Sequence, residues 1–161
     1  MKFILFIEES INAVLDNNFI SVIIMAINSH ITDEQACLHG IRALEWILQA
    51  AQGDVVKIMI EEGVVETCSE LLKLQQIELI RYVCGCLSKL AKFSSIFGIP
   101  DFHDIASLLY VLDAFDKDNI FETIKLGYQK NRQNESLILE YSKFLANLCA
   151  SRINEWIVYM L

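Results

Sequence analysis

The side chains that could do chemistry in this chain of 161 residues are five cysteines, Cys37, Cys68, Cys84, Cys86 and Cys149, and three histidines, His30, His39 and His103. Cys84 and Cys86 invite a metal or redox reading. On a helix, however, residues two apart point about 200° apart, so these thiols cannot jointly grip one ion. A zinc site wants about four ligands at recognised spacing, and the histidines supply no HxxxH pattern. A thiol nucleophile needs a base held against it, and Cys37 and His39 diverge on a helix in the same way. The odd, scattered cysteines do not resemble a disulfide framework and read as small buried hydrophobes in a reducing compartment. No phosphate-binding glycine loop, GxSxG or HExxH occurs. The expectation is a non-enzymatic chain with no catalytic residue, no metal and no cofactor.

Composition narrows the partners. The chain is 54% hydrophobic, above the usual apolar share, and carries a net charge of -8. The apolar excess suggests surface covered by something outside the chain, and the acidic balance argues against a general nucleic-acid binder. The longest charge-free run, NNFISVIIMAINSHIT from Asn17 to Thr32, is shorter than the roughly 18 apolar residues of a spanning helix and is broken by polar side chains. The opening MKFILFI imitates a signal peptide until Glu8 and Glu9 interrupt it. No membrane span is expected, and the expected location is intracellular and cytoplasmic, with nuclear or cytoskeletal placement as alternatives.

The elements that must position any site are helices. There is one proline, Pro100, with six glycines, and apolar residues recur at spacings of three and four nearly throughout. One helix is predicted near 33–51, capped by Thr32 or Asp33, and another near 76–92. Three segments align when Gly63, inside IEEGVVETCSELL, is set against Asn18 and Asn119. From these positions, Trp46, Lys89 and Asn147 lie 28, 26 and 28 residues on, and the two-residue difference falls in a loop. GDVVKIMI (53–60) and NEWIVYML (154–161) each begin seven residues after the first and third of those centres. Gly63 then marks a sharp corner between two helices, where left-handed angles suit glycine best and asparagine next, so its φ should be positive.

A short helix, an acid pair with glycine (EEG), an apolar helix ending ELLK, a polar break and a long helix ending Leu-x-x-Leu-Ala or Leu-x-Asn-Leu-Cys resembles the armadillo repeat. The resemblance is strongest over Gly53 to Phe93 and implies an all-α, armadillo-like right-handed superhelical solenoid. A HEAT-like or irregular α-α solenoid, or a helical bundle, is the alternative. On this reading residues 1–161 form a single armadillo-like domain, with repeats near 8–52, 53–93 and 101–150, and 151–161 starting a further, incomplete repeat. Two features depart from the pattern. Asparagine stands at the glycine position in two copies, and the second junction holds 13 extra residues, within which a helix is predicted from about Asp101 to Phe115.

The resemblance also implies a binding ladder at positions four apart on the third helices. The ladder reads Leu38, Arg42, Trp46; Arg81, Gly85, Lys89; and Leu139, Lys143, Asn147. Stacked, these helices would carry a stripe of Arg42, Arg81, Lys89 and Lys143, with Trp46 and Asn147 among the cations. The importin-alpha form of the family sets Trp four residues before Asn to take basic signals; only Asn147 matches, so the groove is more similar to that of beta-catenin. The leading expectation is a protein-protein interaction scaffold or adaptor holding an extended, acid-bearing segment on this stripe, with Trp46 as apolar platform and Asn147 bonding the partner backbone. The blander reading is that the cations simply solvate one helix face. Two other classes stay open: a structural subunit docking end to end through MKFILFI and EWIVYML, and a small helical ligand carrier or enzyme using the 98–115 insertion.

Overall fold

The computed structural model describes Ala13 and residues 17–50, 53–93 and 111–160. Every regular element among them is an α-helix: α1 (Phe19–Ser29), α2 (Glu34–Ala50), α3 (Gly53–Glu61), α4 (Val64–Lys73), α5 (Ile77–Phe93), α6 (Ile120–Lys130) and α7 (Glu135–Met160), with a helical stretch at 111–117 before α6. The opening MKFILFI and most of the helix expected at 101–115 lie outside the described residues. No described helix is long and apolar enough to cross a membrane.

Each of the three helices α1, α4 and α6 is entered through a left-handed corner. Asn18 (φ 53°, ψ 30°), Gly63 (φ 89°, ψ 27°) and Asn119 (φ 56°, ψ 32°) share the conformation, and none uses a side chain to cap the helix. In each case the corner carbonyl accepts the first helical bond, from Val22, Thr67 and Thr123 respectively. A Cβ at Gly63 would meet only Glu66 Oε2, at 3.8 Å, so backbone conformation rather than space accounts for the glycine.

The connectors that follow are also built alike. His30 Nδ1 and the Asn131 side-chain amide each bond back to the carbonyl four residues earlier, those of Ala26 and Gly127. Three residues later the backbone N–H groups of Asp33 and Asn134 donate to the carbonyls of His30 and Asn131, both at 2.8 Å. Asp33 Oδ1 then caps α2 by accepting from the N–H groups of Gln35 and Ala36, and Asn134 Oδ1 caps α7 by accepting from Leu137 N–H. The middle connector, 74–76, is one residue shorter and turns through Gln75 at φ 58°, and α4 is itself one residue shorter than α1 and α6. The two-residue difference, expected in the loop, is thus divided between the connector and the helix before it.

The helices pack in two rows. The long helices stand in the order α2, α5, α7, the shorter ones in the order α1, α4, α6, and each short helix lies on its long successor. Because α5 has a long helix on either side, its buried residues Leu79, Ile80, Val83, Cys86, Leu87 and Leu90 are joined by Cys84, Ser88 and Ala91, and together they cover more than half of its circumference. Each such side chain contributes roughly 1.5–3 kcal/mol of hydrophobic stabilisation.

One expected boundary is missing. The register places a junction near 150–154, equivalent to the break between α2 and α3, but α7 runs unbroken from Glu135 to Met160. The first junction offers Gly53 as a breaker, whereas residues 150–154 read ASRIN, with neither glycine nor proline to interrupt the helical ladder. The EWIVYML stretch accordingly continues α7, short of its last residue, instead of opening a new helix.

The α6–α7 contact has little slack. A Cβ on Gly127 would stand 2.5 Å from Tyr141 Oη and 2.7 Å from its Cζ, and the Tyr141 ring is fully buried against Tyr128, with centroids 5.4 Å apart. Gly127→Ala should therefore lose about 1–3 kcal/mol in urea denaturation, as overpacked sites do. Adding Tyr141→Phe should recover part of that loss by deleting the nearest atom. A Gly127→Ala protein as stable as the parent would contradict this packing.

Candidate functional site

The residues singled out by type divide by burial. Cys37, Cys68, Cys84 and Cys86 are buried free thiols, while Cys149, expected to be buried, is exposed. Cys149 follows Leu148, which is buried, and one residue of helix turns a side chain about 100° away from that contact. Burial pushes the Cys84 thiol up to about 12, with smaller contributions from Cys68 and Glu140. Burial also raises Cys37, which donates to the His30 carbonyl at 3.3 Å, while His39 points outward. Thiols so held are protonated at neutral pH and are poor nucleophiles. Among the described residues no group of three or more His, Cys, Asp or Glu could hold a metal ion.

The ladder residues do come together on one face, because α2, α5 and α7 stand side by side. Contacts cross both seams. On the first, the Arg42 guanidinium lies over the Tyr82 ring, with Cζ 5.3 Å from the centroid, and Lys89 Nζ donates to Glu45 Oε1 at 2.6 Å. On the second, Asn147 Nδ2 donates to Ser88 Oγ at 3.3 Å, and Arg81 Nε stands 3.9 Å from Glu140 Oε1, at ion-pair range but too far for a hydrogen bond. Trp46 is 65% exposed at the α2 end of the face and Leu139 is 53% exposed on α7.

The expected basic stripe is not bare. Lys143 Nζ is 2.9 Å from Glu140 Oε1, and Arg81 is 3.4 Å from Glu78 Oε2 as well as near Glu140. Lys89 and Glu45 shield each other, their side chains 25% and 16% exposed. Gly85, at the middle rung of α5, is what lets Glu45 lie there: a Cβ on it would meet Glu45 Oε1 at 2.5 Å. Asn147, expected to serve a partner's backbone, is engaged inside the chain instead.

Sequence reasoning passed over Glu45, Glu78, Tyr82, Ser88 and Glu140. Two of these had a local signal, since Glu78–Arg81 and Glu140–Lys143 are three apart on a helix and such neighbours pair. The others depend on which helices adjoin. Glu45 and Ser88 each precede a ladder residue by one position, and only the α2–α5–α7 packing turns them toward Lys89 and Asn147.

Apolar exposure elsewhere is concentrated on α1, where Phe19, Val22 and Met25 share a face and are each about half exposed.

The Lys89–Glu45 contact should differ from the exposed ion pairs in its effect on stability. Lys89→Ala leaves a mostly covered carboxylate without its partner and should cost about 1–2 kcal/mol at neutral pH, part of which Glu45→Gln restores. Lys57→Ala, at an exposed pair on α3, should change stability by less than about 0.5 kcal/mol. Equal effects of the two alanine substitutions in chemical denaturation would contradict the difference in burial.

No family model matches the chain, and no curated protein matches it at a significant level. Among solved structures the chain is similar to the crystal structure of an engineered protein from the Northeast Structural Genomics Consortium, at 18% sequence identity with a TM-score of 0.64. The match covers 89% of this chain and 50% of that one, so the chain spans about half the length of the engineered protein. At that identity the likeness shows the fold alone.

Proposed function

We propose that this chain is a non-enzymatic protein-interaction scaffold of armadillo-like build, which holds an extended, acid-bearing segment of another protein on the face of α2, α5 and α7. The observation that carries the reading is Trp46. It is a large aromatic side chain left 65% exposed beside the seam where α2 and α5 are locked by Arg42–Tyr82 and Glu45–Lys89. Exposed tryptophans on an ordered surface are the residue type most enriched where binding energy concentrates.

The armadillo-like architecture is supported by the three left-handed corners, the matching connectors and the two rows of helices. Recognition on this face is mixed in character. Trp46 and Leu139 offer apolar area at separate places, and paired charges between them present polar groups in fixed positions. An ordered surface of this kind loses little entropy on binding, which favours a partner that supplies the flexible component. The buried free thiols fit a reducing, intracellular setting.

Selection of a phage-displayed library of short random peptides on the full chain tests the reading. Enriched peptides should bind the parent protein and lose about tenfold or more in affinity on Trp46→Ala. That variant should keep its stability within about 0.5 kcal/mol, since the removed side chain is mostly in solvent. Enriched peptides indifferent to Trp46→Ala would sink the proposal.

A further inference from the structure

The four cations of the face differ in what they already hold. Lys89 has Glu45, Lys143 has Glu140, and Arg81 has Glu78 with Glu140 close by. Arg42 pairs with no carboxylate among the described residues, and its guanidinium is laid over the Tyr82 ring. Resting on the scaffold reading above, we infer that the face recognises a segment carrying a single carboxylate, received by Arg42, with a large apolar side chain two positions away on Trp46, and that runs of acids are not its ligands.

Charge decides where a carboxylate can enter. At Lys89 or Lys143 an incoming acid must displace an in-chain carboxylate or stand beside it as a like charge, and either course is unfavourable. Glu45 and Glu140 are themselves mostly covered, with side chains 16% and 11% exposed, so neither swings aside into solvent without breaking its packing. Arg42 demands neither step. The contact with Tyr82 engages the guanidinium through its charge over the ring, not through its N–H groups, and those donors suit a carboxylate taken through two parallel bonds. The chain as a whole carries a net charge of -8, so a strongly acidic segment would be repelled at long range, whereas a single acid is drawn only by the local cation.

Spacing decides what stands beside the acid. Arg42 and Trp46 are four residues apart on α2, about 6 Å along the helix. Two residues of an extended segment cover about 6.6 Å and put both side chains on the same side, so alternate positions of the segment meet the two anchors together. The ligand class is thus a short extended stretch with Asp or Glu two positions from an aromatic or large aliphatic residue, in either order.

The peptides that depend on Trp46 in the selection described above test this inference. They should carry one Asp or Glu two positions from a large apolar residue, and changing that acid to its amide should weaken binding about tenfold. Arg42→Gln should give a loss of similar size, Arg42→Lys should recover part of it, and Lys143→Gln should change affinity by less than about threefold. Amide exchange in the peptide reads the same contact without altering the protein, so a poorly folded Arg42 variant leaves the test intact. Trp46-dependent peptides that carry acid runs or no acid, or that weaken as much on Lys143→Gln as on Arg42→Gln, overturn the inference and leave the scaffold standing. A selection yielding no Trp46-dependent peptide overturns both.

Discussion

A left-handed backbone corner, made three times, is the constraint on which the rest of the chain depends. Asn18, Gly63 and Asn119 each turn the backbone at φ between 53° and 89°, and a helix begins at the next residue. Such angles cost most L-residues roughly 1–2 kcal/mol, less for asparagine and nothing steric for glycine. The corner fixes the direction in which α1, α4 and α6 leave, and the connectors after them fix where α2, α5 and α7 start. Side chains at equivalent distances from the three corners then fall on adjacent helices. That is how Arg42 reaches Tyr82 and how Asn147 reaches Ser88.

The face built this way is held by polar contacts between neighbouring long helices as well as by the apolar core beneath it. Glu45 is central to that arrangement, lying over the one position of α5 that lacks a side chain and bonding Lys89 one turn further on. Glu140 plays a comparable part for α5 and α7, with Arg81 and Lys143 both gathered to it. Cations that a linear reading places in a row as a receptor for acids are thereby mostly committed within the molecule. Of the four cations, Arg42 is the one with no carboxylate partner among the described residues, and it lies one helical turn from the exposed Trp46 on α2. As the proposed interaction surface, this face would be more selective in charge than a basic stripe.

Much of the fold was legible because its signals are local. Helical spacing, the Asp33 cap and the conformational tolerance of Gly63 are properties of a few consecutive residues, and aligning three such stretches carried the register along the chain. Two errors show where locality ends. Residues 150–154 align with a junction yet contain no helix breaker, so the hydrogen-bond ladder of α7 simply continues. Cys149 has the type of a core residue, but its burial depends on whether a neighbour covers that side of α7, and it is exposed. The candidate face was legible in position but not in charge. The partner of Lys89 lies 44 residues away, and nothing in either local stretch indicates that α2 and α5 bring them together.

The most direct test of the central claim is the order of stability among Gly, Asn and Ala variants at positions 18, 63 and 119, measured by chemical denaturation. At a left-handed corner glycine has no steric penalty, asparagine a modest one and alanine the largest, so alanine should be less stable than glycine by about 1 kcal/mol at all three positions. In right-handed helix the order reverses, with alanine favoured over glycine by a similar amount. Alanine variants more stable than their glycine counterparts at these positions would contradict the shared corner and the helix register built on it.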